Sequence, residues 1–496
     1  MKSLKLIILT LAILFLTNNL ESYTNKTYLL PRSAGVNLAL ESTTFYELLQ
    51  LKNDYEKYEP IKDKIENPFL ASFQFVPFYS ESTNKNDLGA YFGIHNSKLI
   101  TFKEQDPDMN QLNLLYIIHD SDAGIADYYA SIELNPEREN LGLFLNSYHD
   151  LEKIFKGLYF KVNMPIVHVK NSINLKTFQE NVDPNSKYKA GVITSYFSGI
   201  YEKESGALNS QTALTQAKIY GDHSKTRIAD IDLILGYRLL DEINKYFKVN
   251  IGLTLPTGNK PKGEFLFEPI CGNGHHWALG LGLDSSFTLW DDNKDQNIKL
   301  SIVANYRYLF NGTEKRTLGI KDFDYGQYYC IGKNGDSFAT PAANILTQDV
   351  KVDPKNQLDA IGMFTYNNGN LTCDLGYNLF WKSAESISVK NWQNDVYGII
   401  ADFKDFSVGP LDVNEKDNWY EAKGFNNAKI NQDRLDTDAA STPSYLTHKI
   451  YAGIGYIFRD AKKVPVLLGL GGSYEFAPKN NELEYWSIWA KVGFSF

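Results

Sequence analysis

The last twelve residues, Tyr485 to Phe496, alternate without a break. Phe496, Phe494, Val492, Ala490, Ile488 and Trp486 fall on one face, and Ser495, Gly493, Lys491, Trp489, Ser487 and Tyr485 on the other. Side chains of a strand repeat every two residues, so such a segment is apolar on one side and polar or small on the other. About ten tilted residues of this kind span a bilayer. Beyond the N-terminus, no stretch of this chain offers about eighteen consecutive apolar residues, which excludes helical spans. Only a closed barrel, with every backbone group paired, can then cross a membrane.

This tail resembles the C-terminal strand of bacterial outer-membrane β-barrels, whose final aromatic residue belongs to the signal read by the barrel-assembly machinery. The resemblance implies an assembly signal at Trp486, Ile488, Val492, Phe494 and Phe496, with that machinery and outer-membrane lipid as partners. The other end of the chain agrees. Lys2 and Lys5 precede the apolar run Leu6 to Leu16, and Thr17-Asn18-Asn19 ends it, the layout of a secretory signal peptide over residues 1–22.

The dyad pattern recurs along the chain. Ile231, Leu233, Leu235, Tyr237 and Leu239 oppose Asp232, Gly236 and Arg238; Val249, Ile251, Leu253 and Leu255 oppose Lys248, Asn250, Gly252 and Thr254. Leu279, Leu281, Leu283, Phe287 and Leu289 oppose Gly280, Gly282, Asp284, Ser286 and Thr288, and residues 298–310, 371–381, 449–458 and 464–477 read alike. Aromatic residues, dominated by 32 Tyr and 29 Phe, gather at strand ends, where an interfacial girdle belongs. A soluble antiparallel sandwich would alternate too, but with polar residues outward. The expected fold is therefore an all-β, transmembrane, antiparallel up-and-down barrel.

Connection lengths set its topology. Arg459–Lys463, Asn367–Asn370, Asp291–Asn297, Leu240–Lys245 and His149–Ile154 are short and read as periplasmic turns; 382–445, 311–355, 256–276 and 171–225 are long and read as extracellular loops. With weaker strands at 68–80, 88–103, 124–134 and 140–148 the total comes to about 14, with 12 to 16 open. Segment 104–122 reads as a strand, a turn or part of a plug. Residues 23–67 form a separate N-terminal segment before the barrel of 68–496. Within it Leu38-Ala39-Leu40, Phe45, Leu48, Leu49 and Leu51 have near-helical spacing, so it reads as a short periplasmic helix, a plug in the barrel or a flexible leader. Ala207 to Ile219 is a second helix-tolerant stretch.

A further resemblance lies mid-chain. Val249-Asn-Ile-Gly-Leu-Thr-Leu-Pro-Thr-Gly-Asn259, followed by Gly272-Asn-Gly-His-His-Trp-Ala-Leu-Gly-Leu-Gly282, is similar to barrels of the fatty-acid and aromatic-hydrocarbon uptake group, nearest to the phenol meta-degradation proteins. Pro256 ends ladder pairing and Gly258 permits a tight turn. The resemblance covers about 60 of 496 residues. It implies a narrow barrel with an N-terminal plug that passes small hydrophobic molecules.

No set of residues suggests catalysis, and neither a metal nor another cofactor is expected. Adjacent residues of extended backbone diverge, so His275 and His276 would not share a metal and His223 would not serve Ser224 as a base. The acidic residues of 382–445, among them Asp412, Glu415, Asp417, Asp433, Asp436 and Asp438, lack the spacing of a calcium loop. Cys271 and Cys330 fall in stretches assigned to the same side of the membrane, which leaves a disulfide between them open; Cys373 takes a lipid-facing position. A net charge of -9 argues against a nucleic-acid partner. Function is expected in the lumen, where Asp230, Asp232, Arg238, Lys248, Asp284, Lys299, Arg307, Asp374, Glu475 and Lys491 share the polar faces. Their mixed signs fit no strong ion selectivity. The leading expectation is a channel or transporter for small solutes, with a non-conducting surface structural or adhesive barrel and an outer-membrane hydrolase as the other classes.

Overall fold

The computed structural model describes residues 25–43, 71–103, 111–118, 128–184, 188–202, 211–242, 244–292, 296–333, 339–400, 429–458, 465–479 and 481–495. Twelve antiparallel strands close into a ring. In chain order they are β1 (Ala71–Ser82), β2 (Glu137–Asp150), β3 (Leu158–Ser172), β4 (Ile231–Glu242), β5 (Lys245–Leu255), β6 (Ala278–Asp291), β7 (Gln296–Leu309), β8 (Lys355–Asn368), β9 (Leu371–Lys382), β10 (Tyr445–Phe458), β11 (Val466–Phe476) and β12 (Tyr485–Ser495). Each pairs with its chain neighbour, and β12 closes on β1 with Ser495 opposite Ser72. The count is thus twelve, not fourteen. Segments 88–103 and 124–134, expected as barrel strands, instead carry Leu99–Lys103 and Tyr128–Glu133, which pair with each other in a sheet outside the ring. Their short apolar runs are buried on both faces, as a soluble core requires, and show no strict dyad.

The ring inverts the usual soluble pattern. Leu281 is 62 % exposed, Leu470 61 % and Leu375 59 %, whereas the charged Lys248, Lys449 and Lys491 are buried. A continuous belt of this kind, including Leu235, Ile251, Ile302, Ile454 and Ile488, far exceeds the apolar patches of soluble monomers. Aromatic pairs edge the belt: Phe73 stacks on Phe494 at one rim, and Tyr79 lies 5.4 Å from Trp486 toward the other. Cys373 shares the outward face.

Inside, glycines make room for rings on neighbouring strands. A Cβ at Gly376 would strike the Tyr451 ring, at Gly471 the Trp489 ring, and at Gly236 the Tyr159 ring. These small-against-large contacts let a narrow barrel hold inward aromatics without widening.

One irregularity shapes the rim. Pro165, in β3, has no N–H to give the ladder. There β3 changes partner, from β4 below to the extra segment Asp222–Ile228 above, and Ala229 donates its N–H to the Pro165 carbonyl at 2.8 Å. The Pro-Thr-Gly run is tied to this break. The Thr257 hydroxyl donates to the Ala229 carbonyl, the Gly258 N–H points at Asp230, and any side chain at Gly258 would collide with the Cys271 carbonyl.

The long connections all leave the same end of the ring and fold together into a cap. It contains small sheets, such as Gly312–Thr317 with Thr347–Asp353 and Ser386–Val389, and short helices including Lys85–Phe92 and Val192–Phe197. One apolar cluster holds it, among whose residues Phe92, Ile100, Phe102, Tyr196, Phe197, Tyr328 and Leu346 are fully enclosed. Among the described residues of Ala207–Ile219, none is helical; they bridge to Ala339 and Phe265. Short turns close the opposite end.

Candidate functional site in the barrel lumen

Residues 25–43 run from the cap down the lumen. At the top, the Thr27 N–H donates to Ala439 at 2.9 Å, and Tyr28 lies under the Arg316 guanidinium, 3.3 Å from its ring centroid. Arg316 in turn meets Glu314 and Glu385, both buried, and Lys382 pairs with Glu385 at 2.9 Å. Burial alone would raise the Glu385 carboxyl, but Lys382 and Arg316 outweigh it and hold it down to about 2. The segment is thereby clamped to the mouth by compensated charge rather than by apolar contact alone.

Deeper in, Arg32 bridges three strands. Its Nη2 lies 2.9 Å from Asp359 of β8, its Nη1 2.9 Å from both Glu475 of β11 and Asn378 of β9, and its plane covers Phe380 at 4.5 Å. Lys449 completes the cluster at 2.9 Å from Glu475. Below it the chain turns into a single helical turn, α1 (Leu38–Ser42), whose Asn37 side chain accepts from the Leu40 N–H as an N-cap. Leu38, Ala39 and Leu40 pack against Phe78, Phe144, Ile361, Met363, Tyr451 and Trp489. Glu41 then meets Lys161 and Asn163, and Lys491 donates to the Glu41 and Thr43 carbonyls. Phe45, Leu48, Leu49 and Leu51 lie outside the described residues.

The segment fills one side only. On β8 to β10 and β12, the inward groups Asp359, Met363, Asp374, Asn378, Lys449 and Lys491 are buried. On β5 to β7, the inward Asn250, Gly282, Asp284, Lys299, Asn305 and Arg307 keep partial exposure. Three ion pairs descend this more open wall and its neighbour β4. Arg307 contacts Asp232 at 2.7 Å, Lys248 lies 3.7 Å from Asp284, and Arg238 reaches Asp150 at 3.0 Å at the turn end.

The ten charged residues singled out in the sequence thus occupy different settings. Asp284, Lys299 and Arg307 line the open wall with partial exposure, Asp232, Arg238 and Lys248 are buried beside it, Glu475 and Lys491 hold the inserted segment, and Asp374 accepts from Thr365 at 2.6 Å. Asp230 sits at the rim, where the Asn273 N–H donates to it at 2.6 Å. Arg32, Glu41, Asp359 and Lys449 escaped the sequence reading. Arg32 was hidden because its partners lie more than three hundred residues away, although a lone arginine just ahead of Leu38-Ala39-Leu40 was a signal.

Cys271 and Cys330 are not bonded. Cys271 packs by the lumen beside the Val167 and Lys225 carbonyls, while the Cys330 thiol faces the Ile117 carbonyl at 3.0 Å inside the cap core. Sharing an end of the barrel did not bring them together. His275 and His276 diverge as expected, and His276 is buried, with its ring nitrogens 2.8 Å from the Phe310 carbonyl and 2.6 Å from Glu314. His223 stacks on Phe265 and faces the Tyr220 carbonyl. Among the described residues, no group of three or more His, Cys, Asp or Glu could hold a metal ion.

Glu482, at the tip between β11 and β12, is buried with one carboxylate oxygen unpartnered, and burial pushes its carboxyl up to about 8. Its folded value exceeds the ordinary one, so the folded tip binds the extra proton. Stability from this group is complete below the ordinary carboxylate range and falls as pH rises through about 8. Hydrogen exchange at the Leu483 and Glu484 amides should therefore accelerate between pH 6 and pH 9 beyond the intrinsic rate, and Glu482→Gln should remove that excess.

The class is now defined: a closed, twelve-stranded antiparallel barrel with a lipid-type outer belt, a folded cap and an inserted N-terminal segment. No family model matches the chain, and no curated protein does. Solved outer-membrane barrels resemble it at low similarity. The toluene transporter TodX of Pseudomonas putida is 8% identical, with 96% of this chain and 98% of that chain covered and a TM-score of 0.29. A FadL homologue of Pseudomonas aeruginosa is 8% identical over 86% and 89%, with a TM-score of 0.26. The transport unit of the autotransporter AIDA-I of Escherichia coli is 7% identical over 91% and 99%, with a TM-score of 0.29. The uptake group noted in the sequence is thus represented, and at these scores no property of those proteins transfers to this chain.

Proposed function

We propose that this protein is an outer-membrane channel that passes small hydrophilic solutes along the wall of β4 to β7, with the cap outside the cell and the short turns in the periplasm. The observation that carries this reading is the asymmetry of the lumen. Asn250, Gly282, Asp284, Lys299, Asn305 and Arg307 on β5 to β7 keep partial exposure, whereas the inward groups beside the inserted segment on β8 to β10 and β12 are buried. Paired charges of both signs along a path hydrate a solute without retaining an ion of one sign. Twelve strands leave less room than wide porins have, so a segment along one side suffices to narrow the bore. The hydrophobic cargo implied by the Pro-Thr-Gly resemblance finds little apolar lining on this wall, where Ile234 and Val303 stand among amides, hydroxyls and charges.

Planar-bilayer recording of the purified protein tests this. The intact protein should give small, weakly selective conductance steps, and a variant lacking residues 25–43 should give steps several-fold larger. Silence from both variants, each verified as folded by heat-modifiable mobility, would sink the reading in favour of a non-conducting surface protein. The cap is the feature that favours that second reading, since it has an apolar core of its own and exposes Phe178 on the outer strand Lys176–Val182.

A further inference from the structure

The open wall contains a pocket built by three successive rows of the ladder. In the first row Asn250 of β5 pairs with Gly282 of β6, which pairs with Asn305 of β7. One row toward the cap, Gly252 pairs with Gly280 and Gly280 with Arg307. In the third, Thr254 faces Asp232 of β4. Apart from Gly282, and together with Ile234, they line a recess that is open to the lumen.

Its chemistry is specific. Gly252 leaves a bare patch of floor, where an added Cβ would meet no atom closer than 3.8 Å, while one at Gly280 would meet the Tyr306 carbonyl at 2.8 Å. At Gly282, by contrast, the same atom would meet the Asn305 amide oxygen at 2.5 Å and the Asn250 amide nitrogen at 2.6 Å, so both amides converge over that residue. On the cap side Arg307 Nη2 lies 2.7 Å from one oxygen of Asp232, and the Thr254 hydroxyl donates to the other at 2.6 Å. The remaining Arg307 terminal nitrogen, Nη1, is buried with no hydrogen-bond partner.

We infer that this pocket binds a small neutral polyhydroxylated molecule, a monosaccharide or polyol. Three features point there. The Arg307 charge is already compensated by Asp232, and Asp230 lies near enough to interact with it, so no surplus positive charge is available to an organic anion. Apart from Ile234 the inward lining is polar or glycine, which offers a hydrocarbon little to bury against. Carboxamides both donate and accept, as hydroxyl groups do, and the idle Arg307 N–H adds a donor. The bare patch at Gly252 lets the edge of a ring or polyol lie close to the backbone.

The inference deepens the passage reading and rests on it for biological meaning, while the binding itself can be measured without transport. Saturation-transfer NMR on the full chain refolded in micelles would use D-glucose and ribitol as probes, with succinate and toluene as contrasts. Transfer to the two polyols should be seen in the wild type. It should fall about tenfold in affinity in Gly252→Ala, whose methyl fills the floor without touching protein, and in the charge-conserving pair Arg307→Gln with Asp232→Asn, which removes a donor. Absence of polyol transfer in the wild type, binding unchanged in Gly252→Ala, or Arg307-dependent binding of succinate or toluene alone would each overturn the inference. Conductance is recorded on the same preparation. Conductance without polyol binding overturns this site and leaves the channel reading standing; binding without conductance supports the site and removes the channel.

Discussion

Replacing Arg32 by Met should unseat the N-terminal segment, at a cost of about 3–5 kcal/mol. The guanidinium stands between Asp359 and Glu475, each 2.9 Å away and both almost wholly buried. Without it, the two carboxylates share only the Lys449 charge, and Lys449 pairs with Glu475 rather than Asp359. An uncompensated buried charge cannot persist, so water must enter or the segment must leave. Hydrogen exchange of residues 27–43, compared with that of the strands, reads the effect: the segment should exchange much faster while the strands stay protected. The double change Arg32→Met, Asp359→Asn should recover much of the protection, since it removes one charge of each sign and leaves Lys449 paired with Glu475. Protection of the segment unaltered in Arg32→Met would show that α1 and its apolar contacts hold it without the cluster.

Leu281→Arg should destabilise the barrel by roughly 2–4 kcal/mol in lipid. Leu281 pairs with Ile251 of β5 and with Tyr306 of β7 near the middle of the belt, and all three side chains point outward. The inward neighbour Asp284 supplies the contrast. Its pair with Lys248 is long, at 3.7 Å, and the Lys248 ammonium keeps the Tyr148, Tyr159 and Tyr246 rings at 4.2 to 5.9 Å, so Asp284→Asn should cost less than the Leu281 change. Urea midpoints in reconstituted bilayers measure both. Equal losses, or a greater loss for Asp284→Asn, would mean that Leu281 does not face lipid.

The barrel was legible in the sequence because its signal is a local one. In β5 and β6 the dyad of Val249 to Leu255 and of Leu279 to Leu283 assigned every side chain to the correct face, and the short turns followed from it. The cap was not legible. Strands such as Leu99–Lys103 are enclosed on both sides, so they lose the alternation and imitate a weak barrel strand; counting them inflated the ring from twelve to fourteen. The inserted segment was half visible. Leu38-Ala39-Leu40 betrays an amphipathic turn, but what surrounds it depends on residues from β1 to β12, which only closure brings together. The division of the lumen was hidden for the same reason: Lys299 and Lys449 look alike on their strands, yet Lys299 keeps partial exposure while Lys449 is buried and reaches Asn37 of the inserted segment.

The placement of that segment also fixes an order of events. Thr27 and Lys26 bond to the cap across intervals of about four hundred residues, with Lys26 donating to the Asp438 carbonyl across 412 positions, and α1 lies within a ring whose seam joins β1 to β12. Residues 26 and 27 therefore reach these partners only after the chain as far as Ala439 exists. They must either be held inside while the seam shuts or be drawn through the bore afterward, past the side chains of Arg138, Trp489 and Lys491. A chain that ends before β12 has neither a seam nor an interior, so residues 26–43 then have no seat.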